Sequence, residues 1–367
     1  IQDFRLAGIL CDGEYRVTEA PYPVIHDNVF QTIYNTSDTY GLRVQRYAPY
    51  GTTDPSLVID AQDNYWGTTS PAEIAAFIHQ WPKYRTDSPF VDYRGFLDGP
   101  GGTAVAGHFI PDGQLPPDEL TWTAAQGPYI VLGNTFVNSG QALTIEPGTE
   151  VRFIGGTAGP QDRWVRASLR INGKLDAQGT EGNEILFTSA AATPVQGDWE
   201  SILFYDSADD TSIITYSRLE YAYNGIWCQG ASPTISHNDI VGVPGDYYHD
   251  HFIGLRLESG CLSTVTDNLV TGFHNTYIPS SHGGCALYIH NSAPTITGNT
   301  ISESTWGIRI FGNDDAPVAV NPVITGNQIV DNRYWTIQVG GDGHATYNPQ
   351  PQFNHNIITT SYTDSGY

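Results

Sequence analysis

Five asparagines, Asn238, Asn268, Asn299, Asn327 and Asn356, recur 30, 31, 28 and 29 residues apart. Each closes a short segment of one design: Pro233-Thr234-Ile235-Ser236-His237-Asn238, Thr264-Val265-Thr266-Asp267-Asn268, Pro294-Thr295-Ile296-Thr297-Gly298-Asn299, Pro322-Val323-Ile324-Thr325-Gly326-Asn327 and Phe353-Asn354-His355-Asn356. A second segment keeps the same period: Gly225-Ile226-Trp227-Cys228, Gly254-Leu255-Arg256-Leu257, Ala286-Leu287-Tyr288-Ile289, Gly307-Ile308-Arg309-Ile310 and Thr336-Ile337-Gln338-Val339. A period near 30 residues restricts the chain to stacked repeats, because each repeat alone has too few apolar side chains to build a core.

Alternation of apolar and polar residues, broken by Gly, Asn, Ser or Pro, marks brief strands ended by tight turns. Stacked windings of such strands pair with one another about 4.8 Å apart and bury their apolar positions in a shared interior. The asparagines then fall at one recurring bend. There the left-handed conformation suits Asn, and stacked amides bond to one another and to the backbone.

This arrangement resembles the right-handed parallel β-helix proteins, the pectate-lyase-like solenoids of the secreted or surface type. Residues 225–240 and 286–301 are closest to their "GI…SPTI..N.I" repeat. Leu143-Thr144-Ile145-Glu146-Pro147-Gly148, Leu169-Arg170-Ile171-Asn172-Gly173 and Gly197-Asp198-Trp199-Glu200-Ser201-Ile202 are similar to entry windings of the same family. The resemblance implies an all-β right-handed parallel β-helix over most of residues 126–363, and it leaves function open.

The first hundred residues state the theme and then stop it. Pro23-Val24-Ile25-His26-Asp27-Asn28 and Leu57-Val58-Ile59-Asp60-Ala61-Gln62-Asp63-Asn64 read as windings. Ser70-Pro71-Ala72-Glu73 is a capping box with Pro at the first helical position. Ile74, Phe77, Ile78 and Trp81 follow at helical spacing, so a short capping helix is expected near 71–81. The expected organisation is terminal coils of a first stack over 1–69, a capping helix and Gly/Pro-rich linker over 70–125, and the main β-helix over 126–367. Neither terminus reads as sealed, which leaves copies of the chain as expected partners through open strand edges.

Formal charge is −23, from 16 Lys and Arg against 39 Asp and Glu. Such acidity repels phosphate and argues against nucleic acid and anionic lipid as partners. No apolar run reaches the length of a membrane span. Four cysteines, Cys11, Cys228, Cys261 and Cys285, show no C-x-x-C spacing. Cys228 is expected buried and inert, and Cys261 and Cys285 lie near strand ends where they could form a disulfide. The low-Lys surface suits an extracellular or cell-surface setting.

Strand alternation sends Ile226, Leu255, Leu287, Ile308 and Ile337 inward, with Cys228, Leu257, Ile289, Ile310 and Val339. Outward, Trp227, Arg256, Tyr288, Arg309 and Gln338 form one file, and Gln229, Glu258, His290, Phe311 and Gly340 the next. Aromatic rings and guanidiniums in files suit an acidic polysaccharide, though exposed strands also carry such residues for packing alone. Tyr247 and Tyr248, in an insertion beside the files, join the candidate glycan-binding set of Trp227, Arg256, Tyr288, Arg309 and Phe311.

No cofactor is expected. His249 and His251, and the acidic pairs Asp314–Asp315 and Asp209–Asp210, are the weak metal candidates, the acidic ones for calcium. Two function classes follow. The favoured one is a non-catalytic extracellular repeat scaffold, adhesive, envelope-layer or glycan-binding. The alternative is a polysaccharide lyase or glycoside hydrolase, as the resemblance implies. A lyase would use Arg256 and Arg309 to neutralise a uronate, His290 or Tyr288 as base, and Glu258 to orient it. A hydrolase needs paired carboxylates, and the files hold only Glu258.

Overall fold

A computed structural model describes residues 7–12, 23–30, 40–45, 58–80, 90–155, 158–159, 163–164, 166–244, 252–274, 284–313, 319–341 and 349–361. These gather into two compact units. One comprises residues 1–116, 128–136 and 153–167; the other comprises 117–127, 137–152 and 168–367.

The larger unit is a solenoid of three parallel sheets. The first sheet runs winding by winding from Ser168–Ile171 through Ile202–Tyr205, Asn224–Gln229, Ile253–Glu258, Cys285–His290 and Trp306–Gly312 to Trp335–Gly341. The second includes Thr234–Ser236, Thr264–Thr266, Thr295–Thr297, Val323–Thr325 and Gln352–Asn354. The third includes Asp239–Val241, Leu269–Thr271, Thr300–Ser302, Gln328–Val330 and Ile357–Thr359. Every strand pairs in parallel with its counterpart one winding on, as with Ile235↔Val265↔Ile296↔Ile324.

Three-residue strands turn their middle residue inward, so Ile235, Val265, Ile296 and Ile324 stack in one interior file and Ile240, Val270, Ile301 and Ile329 in another, all buried. Fully burying such a side chain contributes about 1.5–3 kcal/mol. The inward file of the first sheet holds as expected for Ile226, Leu255, Leu287 and Ile308, and for Cys228, Leu257, Ile289 and Ile310. In the last strand Ile337 is only half-buried and Val339 is 45% exposed. A neighbouring winding is described on one side of them only.

The asparagine ladder is continuous. Each Nδ2 donates to the Oδ1 of the next Asn: Asn238 to Asn268 at 2.9 Å, Asn268 to Asn299 at 2.8 Å, Asn299 to Asn327 at 2.9 Å and Asn327 to Asn356 at 3.0 Å. Each Oδ1 also accepts the backbone N–H of the Asn before it, at 2.8–3.0 Å. The left-handed backbone, however, belongs to the residue before each Asn: His237, Asp267, Gly298, Gly326 and His355, with φ of 54–71°. The left-handed residue turns the corner, and the Asn after it then points its amide inward, where unpaired carbonyls wait.

Glycine in the first-sheet repeat has a steric cause. A Cβ on Gly254 would lie 2.5 Å from Val270 and 2.7 Å from the Ala286 carbonyl oxygen. The strand bends there too: Asn224↔Ile253 and Ile226↔Leu255 are paired, and the glycines between them are skipped.

The smaller unit repeats the corner device. Asp27 and Asp63 take φ of 57° and 55°, and Asn64 Oδ1 accepts the Asn28 N–H at 2.9 Å and the Asn28 Nδ2 at 3.1 Å. The expected helix is present as Pro71–Phe77, with Ser70 accepting the Glu73 N–H at 3.4 Å. It stops short of the expected 81, because Ile78–Gln80 leaves the helix to pair as a strand with Tyr40–Gln45. Trp81 lies outside the described residues. His108–Ile110 and Gly113–Gln114 form strands inside the segment expected as Gly/Pro-rich linker.

His26 Nε2 lies 2.7 Å from the Asp60 carboxylate, and that hydrogen bond raises the imidazole above its ordinary value. A raised histidine holds its proton more tightly folded than unfolded. The stabilisation is therefore complete below about pH 6.5 and fades as pH rises through the folded value. An NMR titration of His26 should give a midpoint above 6.5 that falls back in Asp60→Asn. An unchanged midpoint in that variant would mean the pair does not form.

Candidate functional site

The outward files of the first sheet stand in the expected register. Trp227, Arg256, Tyr288, Arg309 and Gln338 are direct cross-winding neighbours, as are Gln229, Glu258, His290, Phe311 and Gly340. Parallel pairing repeats every winding, so a side chain sees its counterparts above and below at strand spacing.

Cations and rings alternate along the first file. The Arg256 guanidinium lies 4.3 Å from the Trp227 ring centroid and 5.8 Å from that of Tyr288. Arg309 lies 5.9 Å from Tyr288, 4.5 Å from Trp306 and 4.9 Å from Phe311. These distances place each cation on the ring quadrupole, worth about 0.5–1 kcal/mol where exposed. Polar ends are tied as well. Glu258 takes Arg256 Nη2 at 2.9 Å and the Trp227 indole N–H at 3.0 Å, and Arg309 Nε donates to Gln338 Oε1 at 3.0 Å.

The consequence is a fixed surface. Trp227, Arg256, Tyr288, Arg309, His290 and Phe311 are all half-buried, and Glu258 is only 9% exposed although its backbone position faces outward. Burial, then the nearby Glu258 carboxylate, raises the Tyr288 phenol, so it keeps its proton at neutral pH. Because the guanidiniums cover ring faces, this file turns mainly ring edges and N–H groups to solvent.

Open ring faces lie beside it. Tyr334 is 38% and Trp335 49% exposed, with ring centroids 5.6 Å apart in an edge contact, and Tyr334 meets Trp306 edge-on at 6.4 Å. Trp306, Tyr334 and Trp335 were not among the sequence candidates. Strict alternation puts residues 306 and 309 on opposite faces, but the bend at Gly307 brings both onto one. The signal was the W-G-I-R run itself, an aromatic immediately before the bending glycine.

Among the described residues the histidines do not converge. His237 takes the left-handed corner and stacks on Tyr216 at 4.8 Å. His274 is buried, donates from Nδ1 to the Glu303 carbonyl at 2.7 Å, and is lowered by that burial. Tyr247, Tyr248, His249, His251, Asp314 and Asp315 lie outside the described residues. Among the described residues no three His, Cys, Asp or Glu side chains gather as metal ligands. Asp209 accepts the Thr211 N–H at 2.8 Å and Asp210 the Ser232 N–H at 2.7 Å, so both serve as turn acceptors.

Family comparison agrees with this geometry. The model described as "Pectate-lyase like beta helix domain" matches residues 113–211, and that described as "Right handed beta helix region" matches residues 195–365. The chain is a parallel β-helix repeat protein. No curated protein and no solved structure matches it. Among the described residues of this β-helix, no helix is long and apolar enough to cross a membrane.

Proposed function

We propose that this β-helix is a non-catalytic extracellular or cell-surface scaffold whose first sheet binds an acidic polysaccharide laid across successive windings. The observation that carries the reading is the alternating file Trp227–Arg256–Tyr288–Arg309, continued by the exposed Tyr334 and Trp335, with buried Trp306 packed against Tyr334. Its side chains are held by one another before any ligand arrives, so little ordering cost falls on binding. Guanidinium edges meet carboxylates or sulfates, and the open faces of Tyr334 and Trp335 meet the C–H faces of sugar rings.

A net charge of −23 repels a dense polyanion at long range. The fitting ligand therefore spaces its charges with neutral sugars, as a partly esterified uronan does. Two of the groups a lyase would use are already engaged in this file. Arg256 is paired with Glu258, and Tyr288 holds its proton.

Calorimetric titration with partly esterified polygalacturonate tests the reading, with neutral dextran as control. Replacing Arg309 and Trp335 together by Ala should weaken binding about tenfold or more, as loss of two central contacts does. Equal affinity of variant and parent, or no binding of the uronan, would remove the glycan face. Ultraviolet absorbance from an unsaturated product on prolonged incubation would remove the non-catalytic assignment.

A further inference from the structure

Cys228 lies on Asn224–Gln229 with its thiol in the solenoid interior, opposite Leu257 of the next winding. Cys261 follows that next strand, in the corner after Glu258. Two contacts fold this corner back onto the preceding winding: the Gly230 N–H donates to the Glu258 carbonyl at 3.0 Å, and the Leu262 N–H to the Ser232 hydroxyl at 2.9 Å. Four residues past Leu257, the register neighbour of Cys228, the corner sets Cys261 beside Cys228. Cys228 and Cys261 are mutual side-chain neighbours there, and the Cys261 thiol donates to the Ser263 hydroxyl at 3.1 Å.

We infer that Cys228 and Cys261, both fully buried and in contact across adjacent windings, are a disulfide-forming pair that staples the solenoid interior. Cys285 belongs elsewhere. It packs with Ile253 and Trp306, donates to the Leu287 carbonyl at 3.3 Å, and burial pushes it up to about 12. The pairing of Cys261 with Cys285 suggested by strand ends is therefore replaced by one with Cys228.

The oxidant is a small-molecule disulfide, RSSR. Cys261 thiolate attacks one sulfur of RSSR, forming Cys261–S–S–R and releasing RS⁻, which takes up the proton Cys261 gave. Cys228 then attacks Cys261 Sγ and forms the intrachain bond, while the second RS⁻ leaves with the Cys228 proton. Two thiols and RSSR thus give one protein disulfide and two RSH. Cys261 attacks first because it lies in the corner that opens, whereas Cys228 stays on the paired strand Asn224–Gln229. With both sulfurs covered, exchange occurs while the corner is open, during folding or local opening.

The test is to refold the full chain from urea with oxidised glutathione, then denature it and count thiols. Free thiols should fall from four to two, with one cross-linked peptide joining 228 to 261. Cys285→Ser should still lose two thiols and Cys261→Ser none. Adding reductant to the oxidised parent should lower Tm by several degrees, since the bond closes a long loop. Retention of all four thiols, or a cross-link mapped to Cys285 or Cys11, would overturn the pairing without bearing on the glycan face.

Discussion

Replacing Asn299 with Leu should cost the solenoid about 3–5 kcal/mol, read as a fall in the urea midpoint. Leucine has the branching of asparagine but is larger, so no cavity is left; the loss comes from hydrogen bonding, with overpacking adding to it. Asn299 Oδ1 takes the Asn268 N–H at 2.9 Å and the Asn268 Nδ2 at 2.8 Å. Its Nδ2 donates to the Val265 carbonyl at 2.9 Å, the Thr297 carbonyl at 3.1 Å and Asn327 Oδ1 at 2.9 Å. Asn299 is 1% exposed, so water cannot replace these partners, and each buried group left unpaired costs about 1–3 kcal/mol. Asn356 occupies the same corner but is half-exposed. Asn356→Leu should therefore cost about 1 kcal/mol or less, within the ordinary net worth of a hydrogen bond. Equal costs at the two positions would mean that something other than the buried ladder holds the windings. Because windings contact only their neighbours, the broken corner is also where unfolding should begin.

The same corner shows where sequence reading succeeds and where it stops. A period in asparagine fixes which residues stand above one another, and hence the files Trp227–Arg256–Tyr288–Arg309–Gln338 and Gln229–Glu258–His290–Phe311–Gly340. Register needs only the repeat length, and alternation needs only a straight strand. Features that depend on how the strand bends are not written in the period. His237 and Asp267 carry the left-handed turn that asparagine preference assigned to the next residue, because the side-chain amide is needed inside. Bending at Gly307 puts Trp306 on the face of Arg309 against strict alternation. Ile78 has helical spacing from Ile74, yet the unpaired edge at Leu42 draws it into a sheet, and long-range pairing overrides the local pattern. Cys261 reaches Cys228 only because a corner folds back. Glu258, placed outward by alternation, is covered by the two residues it binds.

Glu258→Gln should make the protein less stable and, on the proposed function, bind an acidic glycan severalfold more tightly. Glutamine keeps the shape and can still accept the Trp227 indole N–H through Oε1. Its amide nitrogen, however, opposes Arg256 Nη2, so a charge-assisted pair at 2.9 Å becomes donor against donor. Breaking a fully buried pair costs about 3–5 kcal/mol. The Arg256 side chain is 28% exposed and can turn to water, so about 1–3 kcal/mol is expected here. Removing the carboxylate also frees a cation on the face that meets the ligand and deletes the one acid in the files. Both changes favour a uronate, and a gain of about 1 kcal/mol is roughly fivefold in affinity. An enzymatic reading in which Glu258 orients a base demands instead that Glu258→Gln lose turnover of the uronan. Urea midpoints, uronan titrations and the absorbance of unsaturated product on the same preparation separate the two. Lower stability with tighter binding supports a rigid binding face. Weaker binding would show that Glu258 contacts the ligand directly and that the guanidiniums are not its receptor.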